Sequence, residues 1–69
     1  MYYVRATFNK KVIHKSNKVN TIEEANDILE NYIMRANNYI DIKMLGNGRV
    51  KIVKYNGDLM LEIIEEENE

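Results

Sequence analysis

The chain contains no cysteine, no proline and no tryptophan, and only three glycines and one histidine among its 69 residues. Without cysteine there is no disulfide, no thiolate nucleophile and no thiolate-bound zinc, a composition that suits a reducing cytoplasm. A single histidine does not make an ordinary zinc centre. No apolar run approaches the ~20 residues of a membrane-spanning helix. The opening MYYVRATFNKK also lacks the basic start and apolar stretch of a secretory signal. The expectation is a cytoplasmic protein with no membrane contact. Neither sign of charge dominates. Ten bases and eleven acids leave a net charge of −1 and a pI near 5.8, short of the basic excess that typical nucleic-acid binders carry.

Catalytic groupings are also missing. His14 and Ser16 stand two residues apart, on the same side of any strand, but their neighbours are lysines. A nucleophile needs a base, an acid to orient that base and an oxyanion site. Gly46-Asn47-Gly48 matches a phosphate loop in composition only, because it joins two predicted strands and phosphate cradles open helices. Glu65, Glu66, Glu67 and Glu69 would hold a divalent cation loosely at best, since a tail must first be ordered around it. A chain this short encloses a pocket with difficulty. The expectation is a protein with no enzymatic activity, cofactor, metal or small-molecule substrate.

What is present folds. Apolar residues make up 45 % and charged residues 30 % of the chain, the balance of one small domain. YYVRATF alternates, with Val4, Ala6 and Phe8 on one face and Tyr3, Arg5 and Thr7 on the other, the period of a half-buried strand. Asn9-Lys10 turns the chain into a short second strand, KVIHKS, and SNKVN is a loop. Thr21-Ile-Glu-Glu24 is a capping box, with the Thr21 hydroxyl facing the Glu24 N–H and the Glu24 carboxylate reaching back. Ile22, Ala25, Ile28, Leu29, Tyr32, Ile33 and Ala36 form one helical stripe, so a helix is predicted over 21–37, ended by Asn37-Asn38. YIDIKML, RVKIVKY and DLMLEIIE read as three further strands, with turns at Gly46-Asn47-Gly48 and at Asn56-Gly57, the latter as a type I′ hairpin. The prediction is an α+β two-layer sandwich of order ββαβββ, with the helix on one face of a largely antiparallel sheet. The domain spans residues 1–64, and 65–69 form a frayed acidic tail.

The run KVNTIEEANDILENYI after a YYVRATF strand is similar to the strand–strand–helix opening of HicB-like antitoxins. That pattern also expects a loop with glycine and proline before the helix. Here proline is absent and the first glycine is Gly46, so the resemblance is confined to this opening and carries no function across. Heavy use of Asn, Ile, Lys and Tyr is what AT-rich coding produces, and it points to a phage or another mobile element.

Charge changes sign in blocks. Residues 1–20 hold five bases and no acid, 21–42 five acids and one base, 43–57 four bases and no acid, and 58–69 six acids and no base. On the sheet face away from the helix, alternation collects Tyr3, Arg5, Thr7, Tyr39, Asp41, Lys43, Arg49, Lys51, Val53, Tyr55, Met60, Glu62 and Ile64. The candidate binding residues are Tyr3, Arg5, Tyr39, Lys43, Arg49, Lys51, Val53 and Tyr55. Tyrosine, arginine and isolated apolar residues are the types that interface cores favour. The leading expectation is therefore protein–protein contact, with a host protein or with another copy of the chain. The alternative is a weak, sequence-tolerant binder of single-stranded nucleic acid, with phosphates paired to the lysines and arginines and nucleobases stacked on the tyrosines. A solvated face of cross-strand ion pairs is the third reading.

Overall fold

The computed structural model describes residues 1–66. Six elements follow one another: β1 (Tyr2–Phe8), β2 (Lys11–Lys15), α1 (Ile22–Arg35), β3 (Tyr39–Gly46), β4 (Arg49–Lys54) and β5 (Gly57–Glu65). The strands make one sheet in the spatial order β2-β1-β5-β4-β3, antiparallel at every pairing. With α1 across one face, this is the α+β fold that the pattern predicts. The last strand does not close the sheet at its rim. β5 is the longest strand and lies at the centre, paired with β1 from Tyr2↔Glu65 to Phe8↔Leu59 and with β4 from Arg49↔Glu62 to Lys54↔Gly57.

Thr21 caps α1 in extended geometry, its hydroxyl oxygen accepting the Glu24 N–H at 3.2 Å. The Glu24 carboxylate does reach back, but it accepts from the Thr21 hydroxyl (3.2 Å). Glu23 and Glu24 stand in the first turn and Arg35 in the last, the charge order a helix dipole favours. The helix ends at Arg35, ahead of the predicted 37. Ala36 is already extended and closes the last turn through its N–H to the Ile33 carbonyl, and Asn38 takes the left-handed turn at φ 58°.

The stripe of α1 meets the sheet in a small core of Val4, Ala6, Leu29, Val50, Ile52 and Leu61, edged by Ile28, Tyr32, Ile33, Ile42, Leu59 and Ile63. The cover is incomplete for a geometric reason. A helix with its side chains is about 10–12 Å across, whereas five strands at about 4.8 Å spacing set the two outer ones roughly 19 Å apart. One helix therefore shelters β1, β5 and β4 and leaves both edge strands open. Every residue of β2 is exposed, and in β3 only Ile42 is half-buried. Ile40 and Met44, read from alternation as helix-side residues, are 56 % and 73 % exposed.

The turns redistribute the left-handed positions. Asn9-Lys10 (φ 50° and 70°) and Asn47-Gly48 (φ 54° and 72°) form the two-residue hairpins with positive φ at both positions. The type I′ turn expected at Asn56-Gly57 is not formed. The loop is Tyr55-Asn56, neither at positive φ, and Gly57 follows at φ +145° as the first residue of β5. Asn9 accounts for this. Its side-chain oxygen accepts the Asp58 N–H at 3.3 Å, its amide donates to the Asn56 carbonyl at 3.4 Å, and a Cβ on Gly57 would overlap it.

The acidic tail begins later than residue 65. β5 includes Glu65, and Glu66 exchanges backbone hydrogen bonds with Met1, its N–H donating to the Met1 carbonyl and its carbonyl accepting from the Met1 amino group. The predicted tail residues 67–69 lie outside the described residues.

Candidate functional site

The sheet face away from α1 is built by alternation, and its charges are mutually engaged. The Arg5 Nη2 meets the Glu62 Oε1 at 3.1 Å, the Arg49 Nε lies 3.9 Å from the Glu62 Oε2, and the Lys51 Nζ meets the Asp58 Oδ2 at 3.1 Å. These are cross-strand pairs. Register places Arg5 and Arg49 on either side of Glu62, directly opposite it from β1 and β4. Three of the four bases assigned to phosphate contact are therefore occupied by carboxylates. The fourth, Lys43, stands opposite Lys51 and has no carboxylate within ion-pairing distance among the described residues.

The candidate residues divide. Tyr3, Arg5, Lys51 and Val53 are on this face and half-buried, with Tyr3 opposite Ile64, and Arg49 and Lys43 are there and exposed. Tyr39 departs from the expectation. A bulge between Tyr39 and Asp41 sets Tyr39 opposite Lys54, a helix-side position of β4, because an extra residue reverses the alternation. Tyr55 lies in the β4–β5 turn, 85 % exposed, and belongs to neither face. The expected continuous tyrosine platform is therefore not assembled.

The hairpin with the lysines and the lone histidine has a structural role. The His14 ring packs edge-on against Tyr32 of α1, centroids 5.6 Å apart and planes at 88°. Burial pushes the Tyr32 phenol above its ordinary value. The Ser16 hydroxyl accepts the Val4 N–H at 2.8 Å and donates to the Asn17 carbonyl at 3.0 Å, so it is engaged by backbone. Lys18 and Glu66 pair at 2.7 Å. That hydrogen bond and the attraction behind it raise the Lys18 ammonium and lower the Glu66 carboxyl from their usual values.

The largest stretch of uncovered apolar side chain is on β3, one of the two edge strands. Tyr39 (49 %), Ile40 (56 %), Met44 (73 %) and Leu45 (44 %) are exposed along one strand. Backbone parity determines what this edge offers. Gly46 and Arg49 close the two-residue turn into β4, and hydrogen-bonded positions alternate along an antiparallel pair. Across the bulge at Leu45 the bonded positions of β3 are Lys43 and Asp41, facing Lys51 and Val53. Ile42 and Met44 fall between them, so their N–H and C=O groups point away from the sheet. The Ile42 N–H is met by the carboxylate of its own neighbour, Asp41 Oδ1, at 2.8 Å.

Alternation set Ile40, Ile42 and Met44 opposite the outward residues of β3; Ile42 does pack against the core, and the exposed edge was missed. The available signal was arithmetic: five strands under one helix leave a rim. Among the described residues no group of histidines and carboxylates is arranged to hold a metal, and no helix is long and apolar enough to cross a membrane. No protein-family model, curated protein or solved structure matches the chain.

Proposed function

We propose that the protein is a small non-catalytic binding module acting by protein–protein contact, with the free edge of β3 as its contact surface. The observation that carries this reading is the row of exposed apolar side chains on an edge strand, paired on one side only, whose Ile42 and Met44 backbone groups point outward. Strands recognised this way take main-chain hydrogen bonds for affinity and alternate side chains for specificity. Proteins ordinarily blunt such edges with lysine, proline or inward-pointing charge. β2 follows that rule with Lys11 and Lys15, whereas β3 has one lysine, one aspartate and a run of apolar residues.

The test is selection of extended peptides from a random library on the immobilised chain. Recovered peptides should bind the wild type and lose at least tenfold in affinity on Met44→Pro, which removes an outward N–H without touching the β3–β4 ladder. Met44→Ala separates the side-chain contribution. Tyr3→Ala and Lys51→Ala, on the open face, should leave binding unchanged. Peptides indifferent to Met44→Pro but sensitive to the open-face substitutions would refute the edge and restore the face.

A further inference from the structure

We infer that the strand accepted by the β3 edge is β3 of a second copy, paired antiparallel about a two-fold axis through Ile42. The inference rests on the edge reading above and adds its occupant. Around that axis Ile42 faces Ile42 of the second copy, Asp41 faces Lys43 of the second copy, and Lys43 faces its Asp41. The strand is thus complementary to itself in charge.

The registers on either side of it fail. An axis through Asp41 sets the two aspartates against each other, and one through Lys43 sets the two lysines together; like charges directly opposite are destabilising. An axis between residues pairs helix-side with outer-face positions and sets Asp41 against Ile42 or against Met44. Backbone parity agrees with the Ile42 axis. Because the Ile42 N–H and C=O point outward, Ile42 and its mate exchange both hydrogen bonds. The Asp41 carboxylate now on the Ile42 N–H at 2.8 Å is then released to meet the opposing lysine, which lacks an acid in the single chain. Met44 of each copy comes opposite Ile40 of the other across this axis, side chains that are 73 % and 56 % exposed in the single chain. The other free edge lacks this self-complementarity. β2 paired with itself about Ile13 sets Lys11 against Lys15 twice over.

Sedimentation velocity on the full chain over a micromolar to millimolar range reads the mass, which should double from 8.2 kDa as concentration rises. Asp41→Lys and Lys43→Asp should each weaken dimerisation at least tenfold through facing like charges. The double variant Asp41→Lys/Lys43→Asp should restore it, because the swap regenerates both pairs. Circular dichroism of each variant guards against loss of fold, and both side chains are exposed. A chain that stays monomeric at millimolar concentration overturns the self-pairing and leaves the edge reading to the peptide selection. A dimer in which the charge swap fails to rescue overturns the register and with it the inference. A dimer that survives both Asp41→Lys and Met44→Pro overturns this inference and the edge reading together.

Discussion

Gly57 is the position where one methyl group should cost most per atom. It adopts φ +145° and sits against the Asn9 amide, which a Cβ would displace. A non-glycine residue held in that region is strained by about 1–3 kcal/mol. A displaced Asn9 amide also gives up its bonds to the Asp58 N–H and the Asn56 carbonyl, which at 3.3 and 3.4 Å are long and so are worth about 0.5 kcal/mol each, the low end for such bonds. Restricting the unfolded chain returns about 0.4–1 kcal/mol. For Gly57→Ala the expected loss is about 1–3.5 kcal/mol, a large share of the roughly 3–10 kcal/mol that holds a domain of this size. Gly46→Ala is the internal standard, because Gly46 has φ +81° and no atom within 4 Å of the added Cβ, which leaves only left-handed strain of about 1 kcal/mol. Urea unfolding followed by circular dichroism reads both; with a slope of about 1 kcal/mol/M, Gly57→Ala should lower the midpoint by about 1–3.5 M. Asn9→Gly, which tolerates the φ of 50°, should be less than additive with Gly57→Ala by about 1 kcal/mol, since the amide is lost only once. Equal losses for Gly57→Ala and Gly46→Ala, or strict additivity with Asn9→Gly, would refute the Asn9–Gly57 lock.

Removing the cap with Thr21→Ala should cost about 1 kcal/mol in urea unfolding, while Thr21→Ser should cost only a few tenths. Leu61→Ala empties a fully covered position of the central strand and should cost about 2–5 kcal/mol, enough to leave the chain substantially unfolded at 37 °C by calorimetry. The Lys18–Glu66 pair stabilises the fold between the two ordinary values, 4.5 for the carboxyl and 10.5 for the ammonium. A lowered carboxyl loses its contribution as pH falls through its folded value, and a raised ammonium loses its own as pH rises through its folded value. NMR titration should find Glu66 below 4.5, returning toward it in Lys18→Gln and in high salt, because the pair is exposed and screened.

Fold class, element order and the inward face of β1, β4 and β5 were legible in the sequence, because one-residue alternation and the 3.6-residue stripe each answer to burial. Val4, Val50, Ile52, Leu61 and Leu29 are all buried as their patterns imply. Three things were not legible. The bulge that turns Tyr39 to the helix side depends on how β3 meets β4, and no local residue announces it. The choice among Asn9-Lys10, Asn47-Gly48 and Asn56-Gly57 for left-handed turns was settled by a tertiary contact, the Asn9 side chain over Gly57. The exposure of Ile40 and Met44 reflects strand order, since the same alternating pattern would be buried at the centre of the sheet and is bare at its edge.

Strand order also explains the charge blocks. As a linear pattern they do not require local neutralisation, yet the topology supplies it. The acidic final block forms β5, and β5 is inserted between β1 of the first basic block and β4 of the second. Arg5, Arg49 and Lys51 thereby reach Glu62 and Asp58, and Lys18 reaches Glu66. Exposed pairs of this kind add little stability individually. Their effect is selective: a strand order with β5 at the rim would leave two basic strands side by side, with like charges facing across the ladder. That juxtaposition survives in one place, Lys43 opposite Lys51. Lys51 turns to Asp58 and leaves Lys43 uncompensated on the free edge, one residue from Ile42 and two from Asp41. The pattern that neutralises the centre of the sheet within one chain therefore leaves at its rim an acid and a base spaced to neutralise each other between two chains.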